Sequence, residues 1–185
     1  MDEAPEAADF AIRPMRDDDV EAFVGLFYRV CAEGRWLATE VPFEITDFVR
    51  RVRLGLRSNF HVNAQFVAVE RAGEAIVGQI HVLRLPGEPA SATVGMLVGP
   101  DFRGRGIGAA LLDAALAWAC AQPLRRLELE VFPHNAAALR LYRSRGFRDV
   151  ELRRNALPRR NGELWDVLAM RLELTARAGA DGPRQ

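Results

Sequence analysis

Residues 98–109 read Val98-Gly99-Pro100-Asp101-Phe102-Arg103-Gly104-Arg105-Gly106-Ile107-Gly108-Ala109. The stretch leaves an apolar strand pattern and opens an Ala- and Leu-rich helix pattern that runs from Gly106 to Cys120 and stops before Pro123. Glycines let successive backbone N–H groups turn toward one point without interference from Cβ. A helix N-terminus adds donors with no intrahelical acceptor, at the positive end of the dipole. Arg103 and Arg105 add charge that does not titrate away. Three glycines and two arginines within residues 103–108 exceed what a tight turn requires. The stretch therefore predicts a cradle for a pyrophosphate.

A cradle alone leaves its ligand open. Gly104-Arg105-Gly106-Ile107-Gly108-Ala109 also fits the relaxed dinucleotide fingerprint GxGxxA, with Glu128 or Glu130 near the distance of its ribose-binding acid. Two features count against that reading. A dinucleotide fingerprint begins almost as its strand ends, whereas residues 99–103 separate Val98 from Gly104. It also usually opens a domain, and here a hairpin pattern precedes it.

Working outward, Phe10 to Met15 alternates like a short strand, and Asp17-Asp18-Asp19 follows as a helix N-terminus with Asp17 as its cap. Val20, Phe23, Val24, Phe27, Val30 and Cys31 then recur at helical spacing up to Gly34. A second helix is expected from Thr46 to Arg57. Gln65 to Glu70 and Ala75 to Leu85 form a hairpin pattern, Ala92 to Val98 a further strand, and Arg126 to Val131 another. In the last of these, Leu127, Leu129 and Val131 share one face, with Glu128 and Glu130 on the other. Asn135 to Arg145 reads as a helix stopped by Gly146. Strands near 147–156 and 163–174 close the pattern. The expectation is a mixed α+β domain over residues 10–174, with a central mixed sheet of six to seven strands flanked by about four helices. Residues 1–9 and 175–185 read as flexible tails.

The totals narrow the chemistry. All 25 cations in the 185 residues are arginine. A chain without lysine has no Schiff-base or Walker A lysine, so pyridoxal-phosphate, aldolase and P-loop chemistries fall away. A net charge of +0 argues against binding nucleic acid through bulk electrostatics. The zero hides an uneven layout, with acids toward the N-terminus and arginines at Arg103, Arg105 and between Arg140 and Arg160. Arg153, Arg154, Arg159 and Arg160 read as a solvated basic edge. Cys31 and Cys120 lie in apolar stretches and read as buried thiols of a reducing cytoplasm. His61, His81 and His134 lack metal-ligand spacing, so no metal is expected. No apolar run approaches the roughly 20 residues of a membrane span. The acidic start is unlike a signal peptide, and a cytoplasmic location is expected.

Two motifs carry a family resemblance. Arg103, Gly106 and Gly108 fit (Arg/Gln)-x-x-Gly-x-(Gly/Ala). Asn135, Ala138, Leu141, Tyr142, Gly146 and Phe147 fit Asn-x-x-Ala-x-x-Leu-Tyr-x-x-x-Gly-Phe. In this order and with the element order above, the chain resembles the GCN5-related N-acetyltransferases, the GNAT superfamily. The resemblance implies acetyl-CoA as donor and an amine acceptor, either a small molecule or a protein N-terminus; a homodimer is common in that family. It implies that the strand before the glycine loop splays from its parallel neighbour and that the coenzyme arm pairs with Met96, Leu97 and Val98. Amides from Arg103, Gly104, Arg105, Gly106, Ile107, Gly108 and Ala109 would hold the pyrophosphate. Asn135 and Ala138 would meet the arm, and Tyr142 would face the sulfur.

The chemistry fits these residue types. An amine attacks a thioester only when neutral, so a base must take its proton. The oxyanion needs a backbone donor, for which the Val98 amide is the candidate. The leaving thiolate needs a proton, which a tyrosine hydroxyl supplies, and Tyr142 is the expected acid. Glu130 is the expected base. Leu129-Glu130-Val131 is similar to the corresponding stretch of the ribosomal-protein alanine acetyltransferases, while Phe132-Pro133-His134 departs from that branch. His81 is the second candidate, and Glu33 and Glu40 are the third. Trp36, Glu40, His81 and Gly95 are expected at the acceptor: Trp36 with Phe43 as walls, Glu40 to meet a cationic amine, and Gly95 to leave room. A noncatalytic acyl-CoA sensor on the same fold stays open beside the enzyme.

Overall fold

The computed structural model describes residues 9–57, 63–73, 75–85 and 87–174. Apart from Asp9, the tails expected at 1–9 and 175–185 lie outside the described residues, as does His61. The chain runs β1 (Phe10–Pro14), α1 (Val20–Ala32), α2 (Ile45–Arg57), β2 (Asn63–Glu70), β3 (Ile76–Leu85), β4 (Glu88–Val98), α3 (Ile107–Cys120), β5 (Arg126–Val131), α4 (Ala136–Ser144), β6 (Arg148–Pro158) and β7 (Leu164–Glu173). Among the described residues, seven strands form one sheet in the order β1-β2-β3-β4-β5-β7-β6. All neighbours are antiparallel except β4 and β5. This is the mixed architecture that the sequence pattern predicts, with seven strands and four helices. No described helix is long and apolar enough to cross a membrane.

Periodicity explains the layers. In α3, Ile107, Leu111, Leu112, Ala115 and Ala119 form one fully buried stripe. They share a core with Ile80, Val82, Leu127, Leu129 and Met170 from the sheet. Each large aliphatic side chain buried this way contributes about 1.5–3 kcal/mol. On the other side, Val20, Phe23, Val24 and Val30 of α1 pack with Val67, Ile76 and Leu97. Helix α2 buries no residue completely. It attaches through aromatic contacts, with Phe48 stacked on Phe27 at 4.5 Å between ring centroids.

Asp19, not Asp17, anchors the start of α1. Asp17–Asp19 form a 3-10 turn, and Asp19 accepts the Arg16 amide at 2.7 Å and the Arg13 guanidinium at 2.6 and 2.7 Å. The carboxylate is largely enclosed. Burial alone would raise its pKa, but the bonds from Arg13 and Arg16 outweigh it and hold the group below the usual range. Asp19→Ala leaves Arg13 without this partner and is expected to cost on the order of 2 kcal/mol. Thermal melting should show a drop of roughly 4–8 °C. A second expectation also changes: Cys31 is buried, but Cys120 at the end of α3 is exposed.

Candidate active site

Strands β4 and β5 pair only at Ser91–Thr93 with Arg126–Glu128. Beyond Thr93 they separate, although β4 continues to Val98 and β5 to Val131. The gap opens a cavity of about 540 Å³. At one end it is lined by the glycine loop and the start of α3, including Gly104, Gly106, Ile107, Gly108 and Ala109. Val94 to Val98 of β4 form its floor. Asn135, Ala138, Leu141 and Tyr142 of α4 form one wall, and Glu130 and Phe132 line it from β5 and the turn after it. Trp36, Leu37 and Ala38 from the α1–α2 loop line it as well, with the Trp36 ring centre 5.6 Å from the Arg103 guanidinium.

The loop backbone takes conformations that favour glycine and leaves helix-start amides without intrahelical partners. Gly104 and Gly106 have φ of +77° and +78°, a region costly for residues with a Cβ. The first intrahelical bond of α3 runs from the Ala110 amide to the Gly106 carbonyl. The amides of Ile107, Gly108 and Ala109 precede it and have no carbonyl within their own helix. A helix N-terminus of this kind suits a phosphate group.

The arginine of the motif is committed elsewhere. The Arg103 guanidinium donates to both oxygens of Glu33, at 2.6 and 2.8 Å, and its Nε donates to the Val98 carbonyl at 3.1 Å. It ties the glycine loop to the end of α1, so its contribution to an anion comes from the backbone. These bonds and the Trp36 indole hold the Glu33 carboxyl below its usual range, which makes it a weaker proton acceptor. Arg105 is exposed, with its guanidinium 5.2 Å from the Phe102 ring centre.

Tyr142 is buried, and burial pushes its pKa up to about 12, so the phenol keeps its proton at neutral pH. Asn135 caps α4, its Oδ1 accepting from the Ala138 amide at 3.1 Å. Its side-chain NH₂ is left as the donor. Glu130 lines the cavity with its side chain largely exposed, and its carboxylate is paired with Arg153 of β6.

Three acceptor-side expectations change. Glu40 is not among the lining residues: its carboxylate accepts the Arg160 amide at 3.0 Å and lies 3.4 Å from Arg159 Nη2. His81 is not a lining residue either. It sits opposite Gly95 in the β3–β4 register, and the room Gly95 leaves is taken by the imidazole. Burial pushes the His81 pKa down to about 4, which makes it a weak proton acceptor. The expected basic edge is in part a clasp. Arg159 is buried, donates to the Leu37 and Ala38 carbonyls at 3.2 and 3.0 Å, and stacks 4.2 Å from the Trp165 ring centre. Trp36 does reach the cavity, whereas Phe43 packs against Phe27 instead.

The sequence pattern did not single out Val30, Leu37, Phe132, Leu157 or Val167, which also line the cavity. Leu157 carried a weak signal, as an apolar residue in the polar run of β6. Arg159 carried none, because nothing local separates it from its exposed neighbour Arg160.

The sequence profile of the Acetyltransferase (GNAT) family matches residues 29–147. The chain belongs to that family. It is 37% identical over 78 residues to the [Ribosomal protein bS18]-alanine N-acetyltransferase of Escherichia coli (strain K12), covering 42% of this chain and 52% of that one. It is 29% identical over 150 residues to the mycothiol acetyltransferase of Clavibacter michiganensis subsp. michiganensis, covering 81% and 46%. The chain thus spans about half the length of these curated relatives. Among solved structures, a GCN5-related N-acetyltransferase from Kribbella flavida superposes with a TM-score of 0.79 at 22% identity, over 91% of this chain and 100% of that one. A phosphinothricin acetyltransferase from Sinorhizobium meliloti, solved in complex with AcCoA, gives 0.80 at 18%, over 96% and 94%. Both show the same fold.

Proposed function

We propose that this protein transfers the acetyl group of acetyl-CoA to a primary amine, by direct attack within a ternary complex. The carrying observation is a cavity lined together by the start of α3, both strands of the β4–β5 gap and the α1–α2 loop. Amides of the glycine loop hold the pyrophosphate, and Met96, Leu97 and the Val98 amide face the arm and the developing oxyanion. The Val98 carbonyl already accepts from Arg103, so at that end the strand offers the arm its amide rather than its carbonyl. Asn135 donates to the arm, Tyr142 protonates the leaving thiolate, and Glu130 takes the amine proton.

Cys31 supports direct transfer over an acetyl-cysteine. Burial pushes its thiol up to about 11, despite the partial offset from Arg159, and a thiol that stays protonated is a poor nucleophile. Acetyl-CoA is expected to raise the melting temperature where NAD and NADP do not. Coenzyme A release, followed over a panel of amines, should require an acceptor. Stabilisation by a nicotinamide cofactor alone would overturn the reading. Glu130→Gln should lower turnover by about tenfold or more at pH 7, with the deficit shrinking toward pH 9 as more amine is neutral. Equal rates at every pH would remove Glu130 as the base.

A further inference from the structure

Arg103 and Glu130 are the charged side chains among the described lining residues, and each is already paired. Arg103 grips Glu33, and Glu130 is held by Arg153. Glu40 is neutralised by Arg159 and the Arg160 amide. The rest of the acceptor end is carbon, from Val30, Leu37, Ala38, Phe132, Leu157 and Val167. A second ammonium or a carboxylate placed against these carbon groups would lose part of its hydration and meet only charges that already have a partner. A single amine that attacks as the neutral base does not carry that penalty.

The loop beside the cavity is also held in place. The α1–α2 loop is pinned from three directions. Arg103 of the glycine loop holds Glu33. His134, in the turn before α4, donates its Nε2–H to the Arg35 carbonyl at 2.8 Å. From the β6–β7 turn, Arg159 holds the Leu37 and Ala38 carbonyls, and Arg160 holds those of Val41 and Pro42 at 2.9 Å each. A loop tied in this way is not free to move aside for an extended peptide. The cavity of about 540 Å³ must take the acyl arm as well, which leaves a small share for the acceptor.

Resting on the transferase reading above, we propose that the acceptor is a small primary amine on an uncharged apolar skeleton, an arylalkyl- or alkylamine with no second charge. The full chain is assayed for coenzyme A release with 2-phenylethylamine, hexylamine, spermidine, glutamate and a short peptide with N-terminal alanine. The expected result is a kcat/KM for phenylethylamine or hexylamine at least about tenfold above the other three. Preference for spermidine, glutamate or the peptide overturns the proposal and leaves the transferase intact. Failure of every amine, with no melting shift from acetyl-CoA, overturns the transferase reading and the proposal with it. Arg153→Gln frees Glu130 and should raise the spermidine-to-phenylethylamine ratio of kcat/KM severalfold. An unchanged ratio overturns the claim that paired charges set the selectivity.

Discussion

Tyr142→Phe is expected to lower kcat by about 10²–10⁴-fold while the melting shift given by acetyl-CoA is retained. The substitution removes one hydroxyl and keeps the ring. That ring packs in the main core, with the Phe147 ring centre 5.8 Å away, so the fold and the cavity wall persist. What is lost is the proton. Burial holds the phenol protonated up to about pH 12, so it stands ready to donate at any physiological pH. Its own ionisation therefore contributes no alkaline limb below pH 10, and a fall in rate there belongs to another group. A noncatalytic sensor would bind acetyl-CoA equally well with either residue and show no turnover to lose. Retained turnover in the phenylalanine variant would remove Tyr142 as the acid.

The second large effect concerns His81 and Gly95. A Cβ at Gly95 would fall inside the contact radius of His81 Cε1 and Nε2, so the partly buried imidazole would have to shift. Gly95→Ala is expected to destabilise by about 1–3 kcal/mol, the range of an overpacked core. Adding His81→Ala to it should recover most of that loss, because the two groups compete for one volume. Equal destabilisation in the single and double variants would break the coupling. The same histidine makes stability depend on pH. The unfolded chain takes up a proton near pH 6.5, while the folded chain resists until about pH 4. Protons therefore favour the unfolded state as pH falls through that window. The loss is on the order of 3 kcal/mol, complete near pH 4 and absent above about 6.5. Carboxylates such as Asp19, held below their usual range, add loss in the same direction at lower pH. Urea titrations of the native chain and of His81→Phe from pH 4 to 7 isolate the histidine as the difference between the two curves.

These two sites differ in how far they were legible from sequence. Tyr142 was readable because α4 is a short local unit: Asn135 caps it, Tyr142 lies two turns on, and Gly146 stops it with φ of +88°. Residue spacing along a helix fixes which side chains share a face, and no other part of the chain is needed to know it. The glycine loop was readable for a similar reason, since left-handed backbone at Gly104 and Gly106 is a demand made on those residues themselves. The role of Gly95 was half readable. Its missing side chain showed in the sequence, but the ring that fills the space comes from β3, through a register that the β3–β4 turn and the packing of both strands set.

The strand and helix order, the left-handed glycines of the loop, the stop of α4 at Gly146 and the alternation that turns Glu130 away from Leu129 and Val131 were determined by the sequence alone. Each follows from backbone preference or periodicity over a few neighbouring residues. Only the tertiary structure decided what the charges do. Arg103 and Glu33 are 70 residues apart, and Arg160 reaches Glu40 across 120. Arg159 is buried beneath a loop more than a hundred residues before it. An arginine has the same local pattern whether it meets a phosphate, solvent or a distant carboxylate. Its partner is chosen when the sheet brings the β6–β7 turn against the α1–α2 loop, and that pairing leaves a largely apolar cavity lining in a chain with 25 cations and 25 acids.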